Sequence, residues 1–218
     1  MDSSFGLDNE VALSDDETVT VQQVLETLEN AWLNEKFSPE LLPHQTDIVD
    51  CMFEQISGME ENLEKVDQSD IRVEIHRMEL DRIRYVLSSF LRTRLEKIEE
   101  FCTHIIEEDS TRDPDERYLS PGEKKFAEEF QNNIEQHFER VALRHMPLNV
   151  QKYDRQLMKV EPNLKSYVFL RARSTAEGLM LEGMDDTDEP LTMVKDSQHM
   201  ALYSGVASLV KNGTLQLI

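Results

Sequence analysis

The chain has 218 residues, 39% of them hydrophobic and 31% charged, which is enough to bury a core and too apolar for wholesale disorder. A formal charge of -21 and a pI near 4.6 exclude a surface that grips nucleic acid all over, and favour basic partners or basic faces of partners. Two cysteines, Cys51 and Cys102, are no disulfide framework, and no stretch approaches the roughly 18 apolar residues of a membrane span. Residues 1–17 contain no lysine, no arginine and no apolar block, so neither a secretory signal nor a transit peptide is expected, and a soluble cytoplasmic or nuclear protein is the default.

Residues 1–19 are acidic and poor in large apolar side chains, too few to offset the entropy of ordering, and are expected to form a disordered tail. Within it Ser14 is followed by Asp15, Asp16 and Glu17, which is either a site for an acid-directed kinase or simply solvated tail. Thr20 and Gln23 form a capping box that opens a helix carrying Val21, Val24, Leu25, Leu28 and Trp32. Ser38 and Pro39 then predict a short helical turn through Leu41 and Leu42, ended by Pro43. A second helix runs from Thr46 with Ile48, Val49, Met52, Phe53, Ile56, Met59 and Leu63.

The third helix is predicted over residues 70–108, where proline and glycine are absent and the helix would be about 58 Å long. Its main apolar file includes Ile71, Ile75, Met78, Tyr85, Val86, Phe90, Leu91 and Leu95, with a second file of Leu80, Ile83 and Leu87 beside it. So long an apolar helix outruns what this chain can bury, and the excess, expected mainly around residues 85–95, points to partner proteins. Ser120, Pro121 and Glu123 then mark the start of a fourth helix with Phe126, Phe130, Ile134 and Phe138, which Pro147 stops.

Beyond residue 147 the helical period lapses. Strands are expected at 166–173, 191–194, 199–203 and 214–218, with a loop at 184–189, a short helix at 206–210 and a turn at Asn212–Gly213. The fold class is therefore mainly α: an acidic tail (1–19), a helical domain of long helices (20–146), a linker (147–165) and a small β-rich domain (166–218) at the C-terminus.

Chemistry-bearing motifs are missing. The seven glycines form no GxGxxG, P-loop or nucleophile elbow. The six histidines show no HExxH spacing and the cysteines no CxxC, so no cofactor or metal is expected and the chain is not read as an enzyme. A run of cations, Arg72, Arg77, Arg82, Arg84, Arg92, Arg94 and Lys97, lies along the third helix. It serves either to pair with acids of this chain or its partners, or as a stripe facing DNA.

The string Trp32-Leu33-Asn34-Glu35-Lys36-Phe37-Ser38-Pro39-Glu40-Leu41-Leu42 resembles the Sld-five family, a subunit family of the GINS replication complex. The resemblance continues through Met59 to Leu63, Ile75 to Glu79, Arg82 to Ser89, Leu143 to Pro147 with Gln151 and Lys152, Ser166 to Arg171, Ser197 to His199 and Leu215 to Ile218. It implies a helical A domain followed by a β-rich B domain, and a non-catalytic scaffold in the nucleus. The implied partners are three sister subunits in a heterotetramer, which joins the Cdc-forty-five protein and the minichromosome-maintenance hexamer in the active replicative helicase. Replicative polymerases and the adaptor that recruits the priming polymerase are further family-level partners, whereas DNA contact is indirect or weak. In fungal relatives the adaptor is reached by an amphipathic N-terminal motif, and here Phe5, Leu7, Val11 and Leu13 are scattered among acids, a departure that puts this contact in doubt. The candidate subunit-interface residues are Tyr85, Phe90, Leu91, Leu95, Tyr167, Phe169, Leu217 and Ile218, the last four serving either assembly or the core of the β module. Arg77, Arg84 and Arg92 are the candidate charged contacts, and Ser14 the candidate phosphorylation site.

Overall fold

A computed structural model describes residues 10–12, 18–66, 70–113, 116–147, 151–179 and 191–218. Helices fill the first two thirds: α1 (Val21–Phe37), α2 (Thr46–Glu64), α3 (Ile71–Glu100), α4 (Cys102–Thr111) and α5 (Pro121–Val141). Strands and one helix follow: β3 (Tyr167–Ala172), β4 (Ala176–Leu179), β5 (Leu191–Met193), β6 (Gln198–Leu202), α6 (Tyr203–Lys211) and β7 (Leu215–Leu217). Ahead of α1, β1 (Glu10–Ala12) and β2 (Thr18–Thr20) pair antiparallel, so these parts of the expected disordered tail carry backbone structure. Ser14 and the 184–189 loop lie outside the described residues.

By packing, the chain divides into two compact units, one of Met1–Lys36 with Gln45–Arg92, the other of Phe37–His44 with Thr93–Ile218. This is a different division from the compositional change near residue 147, which marks where helices give way to strands.

In the first unit α1 begins as its sequence requires. The Thr20 N–H donates to Gln23 Oε1 at 3.0 Å and the Gln23 N–H to Thr20 Oγ1 at 3.4 Å. Val24, Leu25 and Leu28 of α1, Val49, Met52 and Ile56 of α2, and Leu80, Ile83, Val86, Leu87 and Phe90 of α3 form one core. The inward face of α3 thus combines the second file, Leu80, Ile83 and Leu87, with Val86 and Phe90 of the main one.

In the second unit the predicted helix over 70–108 is interrupted at Phe101, whose φ of -110° and ψ of 26° leave the helical region. The interruption is a kink: the Phe101 N–H still donates to the Lys97 carbonyl and the Ile105 N–H to the Phe101 carbonyl, both at 2.9 Å. No proline or glycine marks the place; the residues around it are committed to a core of Ile98, Cys102, Ile105, Leu119 and Ala127. Cys102 Sγ donates to the Ala127 carbonyl at 3.3 Å, and burial pushes its thiol up to about 11; both cysteines are free and buried.

The expected helical turn at Leu41 and Leu42 does not form. The reason is that its carbonyls are engaged by side chains of α3: Arg94 Nη1 donates to Leu42 at 2.8 Å and Lys97 Nζ to Glu40 at 2.8 Å. Ser38, expected to cap that turn, donates its hydroxyl to the Glu40 carbonyl at 2.5 Å.

α5 starts on the capping box visible in the sequence, with the Glu123 N–H donating to Ser120 Oγ at 3.3 Å and the Ser120 N–H to Glu123 Oε2 at 2.9 Å. Ser120→Ala is expected to lower stability by about 1 kcal/mol, measurable as a shift in the urea midpoint at unchanged m-value. Tyr153, Arg155 and Lys159, within the segment read as a linker, are held against α4 and α5. Tyr153 stacks on Phe138 at 6.0 Å, Arg155 binds Glu135 through two hydrogen bonds, and Lys159 reaches Glu107 at 3.1 Å.

The β module is a three-stranded antiparallel sheet in the order β6-β3-β7, with β4 and β5 paired separately. β4 had no signal in the sequence. Along β3 the residues alternate strictly, exposed and buried. Val168, Leu170, Ala172, Ala201, Leu215 and Leu217 pack with Tyr203, Val206 and Val210 of α6. α6 ends where predicted, at a turn in which Gly213 takes a φ of 72° and Thr214 N–H returns to the Leu209 carbonyl at 3.0 Å.

Candidate interaction surfaces

No helix among the described residues is long and apolar enough to cross a membrane, and no group of three or more potential metal ligands is found there. What the structure offers are surfaces.

On α3, burying the Leu80 file together with Val86 and Phe90 leaves the N-terminal part of the main file outside. Ile71, Ile75, Met78 and Tyr85 remain between 59% and 75% exposed, at steps of four, three and seven residues along one helix face. The excess apolar surface therefore lies earlier than the expected residues 85–95. Tyr85 sits edge-on to Trp32, ring centroids 6.3 Å apart, and Trp32 Nε1 donates to Ser89 Oγ at 2.9 Å, which sets the ring outward.

The cations along this helix are largely neutralised within the chain. Arg72 pairs with Asp70, Arg77 with Glu74, Arg82 with Glu29 and Glu79, and Arg84 with Glu60 and Asp81. Arg92 is exposed and makes no ion pair among the described residues. Among the described residues this pairing leaves no continuous free cationic stripe.

Arg94 is a different case, being 1% exposed. Its Nε and Nη2 donate to the two oxygens of Glu123 at 2.7 and 3.0 Å, Nη2 also to the Tyr118 carbonyl at 2.9 Å, and Nη1 to Leu42. Burial alone would raise the Glu123 carboxyl, but hydrogen bonds and charge from Arg94, with the Ser120 donors, outweigh it and hold the group below its ordinary value.

On the β module the outer face of β3 presents Tyr167 and Phe169, beside Met200 of β6, which pairs with Phe169; the three are between 59% and 68% exposed. Ile218 is half-buried and donates its N–H to the Phe169 carbonyl at 3.1 Å, extending that face. The module is tied to residues 37–44 of its own unit through Glu40. Tyr203 Oη donates to Glu40 Oε1 at 2.8 Å, and Lys211 Nζ reaches the same oxygen at 2.7 Å. Burial would lower the Lys211 ammonium, yet the Glu40 contact raises it above its ordinary value.

Of the eight candidate interface residues, Tyr85, Leu95, Tyr167 and Phe169 present exposed side chains, while Leu91 and Ile218 are partly covered. Phe90 and Leu217 require correction: they are 2% and 0% exposed, inside the two cores, where packing and not partner contact accounts for them. Ile71, Ile75, Met78 and Met200 were missing from the candidates. The first three stand on the same file as Tyr85 but ahead of residues 85–95, where the excess was expected, and Met200 is identified only by its register against Phe169.

A family model described as the GINS complex protein helical bundle domain matches residues 53–142, and one described as the DNA replication complex GINS protein SLD5 C-terminus matches residues 162–218. The DNA replication complex GINS proteins SLD5 of Rattus norvegicus and Homo sapiens are each 47% identical to this chain over 208 and 210 residues, 94% of this chain and 93% of the relative. The Arabidopsis thaliana protein of that description is 32% identical over 215 residues, 94% of this chain and 96% of its own. With helices up to residue 147, a small antiparallel sheet after it, and near full-length identity to these relatives, the chain belongs to the SLD5 family of DNA replication complex GINS proteins.

Proposed function

We propose that this chain is a non-catalytic scaffold subunit of a heterotetrameric GINS complex in the nucleus. In this reading it assembles with three sister subunits, and the tetramer joins the Cdc-forty-five protein and the minichromosome-maintenance hexamer to activate the replicative helicase. The observation that carries the proposal is the exposed file Ile71, Ile75, Met78 and Tyr85, apolar surface on a regular helix that the chain itself leaves uncovered. The outer face of the β module, with Tyr167, Phe169 and Ile218, is assigned to the same assembly, as are Leu91 and Leu95 at their margins. Arg77 and Arg84 act within the chain, each already holding an acid, and Arg92 is left for a partner's acid.

The test is co-purification of the sister subunits with an Ile75→Glu/Met78→Glu double variant. Because both side chains are exposed, thermal stability is expected to stay within about 1 kcal/mol of wild type, while the tetramer falls apart in size-exclusion chromatography. Full retention of all three sisters would refute the assignment. Truncating Leu215 to Ile218 is the weaker experiment, since Leu215 and Leu217 belong to the module's core.

A further inference from the structure

The solvent side of α2 differs from the faces assigned to assembly. Asp47, Asp50, Glu54, Glu61 and Glu64 recur along it and fall within a sector of about 100°. All five are exposed, and none forms an ion pair or side-chain hydrogen bond among the described residues. On the neighbouring α3 only the acids of the first three turns, Glu74, Glu79 and Asp81, each hold an arginine, and Glu60 at the edge of α2 is paired with Arg84. Only Lys65, just past the end of α2, adds a cation in line with the file. Among the described residues no ion pair thus neutralises this strongly acidic face.

Two further observations distinguish it from a merely solvated face. Phe53 lies one turn from both Asp50 and Ser57 and is 49% exposed, an aromatic side chain beside the acidic file. Gly58 occupies the middle of the helix and weakens it relative to alanine. Nothing within this chain requires that glycine, since a Cβ there would meet no atom within 4 Å. Ser57 and Gly58 are both small and exposed, so another backbone can approach the helix closely there.

We propose that this face of α2 docks a basic amphipathic helix of a partner protein. Its lysines or arginines would meet the file from Asp47 to Glu64, an apolar side chain would cover Phe53, and its backbone would cross at Ser57 and Gly58. A second copy of this chain is disfavoured because the face would meet its own charge, and nucleic acid for the same reason. The proposal concerns a face distinct from the α3 file, so it stands or falls separately from the assembly reading.

The experiment uses the full chain co-purified with its sister subunits and a fluorescent lysine, leucine and alanine peptide of about five helical turns, followed by anisotropy. The expected result is binding that weakens with added salt. The Asp50→Asn/Glu54→Gln/Glu61→Gln variant should weaken it at least tenfold, and Phe53→Ala several-fold with the salt dependence unchanged. Gly58→Gln is the sharpest arm: it should raise Tm, because the helix gains, while weakening the peptide about tenfold, because the close approach is blocked. Equal binding by a scrambled peptide of the same composition, or by Gly58→Gln, would overturn the proposal in favour of unspecific charge attraction. Loss of a sister subunit from any of these variants would also overturn it, by making the face part of the tetramer.

Discussion

Replacing Arg94 with alanine is expected to destabilise the protein by roughly 3–5 kcal/mol, the scale for removing one partner of a buried ion pair. The loss has several parts. Glu123 would keep its charge with its main counter-ion gone, and the Leu42 and Tyr118 carbonyls would lose their donors. Lysine does not rescue this, because one ammonium cannot reproduce the fork that meets both Glu123 oxygens and two carbonyls. Glu123→Gln is the milder probe: glutamine can still close the capping box with Ser120 through its carbonyl, but its NH2 then replaces the oxygen that accepts from Arg94 Nε, so its cost reports the lost charge together with that lost hydrogen bond. The same pair sets an acid limit. With its pKa depressed by folding, Glu123 contributes stability that is fully present above the unfolded carboxylate value, near pH 4.3, and is lost as pH falls through the folded value. Urea denaturation of wild type and Glu123→Gln at falling pH should show the two curves converging below that value.

The second large effect is at Phe90, whose truncation to alanine should cost about 3–5 kcal/mol. The ring is fully enclosed by α1, α2 and α3, so the cavity has no solvent to fill it and little freedom to collapse. Tyr85, little more than one turn earlier, is the contrast. Its ring is mostly exposed and its packing is one edge contact with Trp32, so Tyr85→Ala should cost about 1 kcal/mol. Chemical denaturation of both variants separates the core residue from the surface one, although the sequence placed them in the same apolar file.

That file shows where sequence reading stops. The capping boxes at Thr20 and Ser120 were legible because they involve residues three apart, and the turn at Gly213 because one left-handed residue is all it needs. The two apolar files of α3 share one period, and which residues of each face inward depends on α1 and α2, not on α3. Arg94 and Lys97 were visible as cations, but the Leu42 and Glu40 carbonyls that accept from them are more than fifty residues away in sequence. The same engagement removed the expected turn at Leu41 and Leu42. The kink at Phe101 had neither proline nor glycine to announce it, and the pinning of residues 151–161 on α4 and α5 rests on long-range pairs such as Lys159 with Glu107. For the candidate surfaces, residue types were readable and exposure was not: an apolar residue at a regular step serves core and interface alike.

The central claim, that the exposed faces of α3 and of the β module are covered by sister subunits, is tested most directly by oxidative footprinting of the isolated chain and of the co-purified tetramer. Side-chain oxidation at Met78, Tyr85, Tyr167, Phe169 and Met200 should fall sharply on assembly, while Phe90, already enclosed, stays unreactive in both. Unchanged reactivity at Met78 and Tyr85 in an intact tetramer would contradict the account.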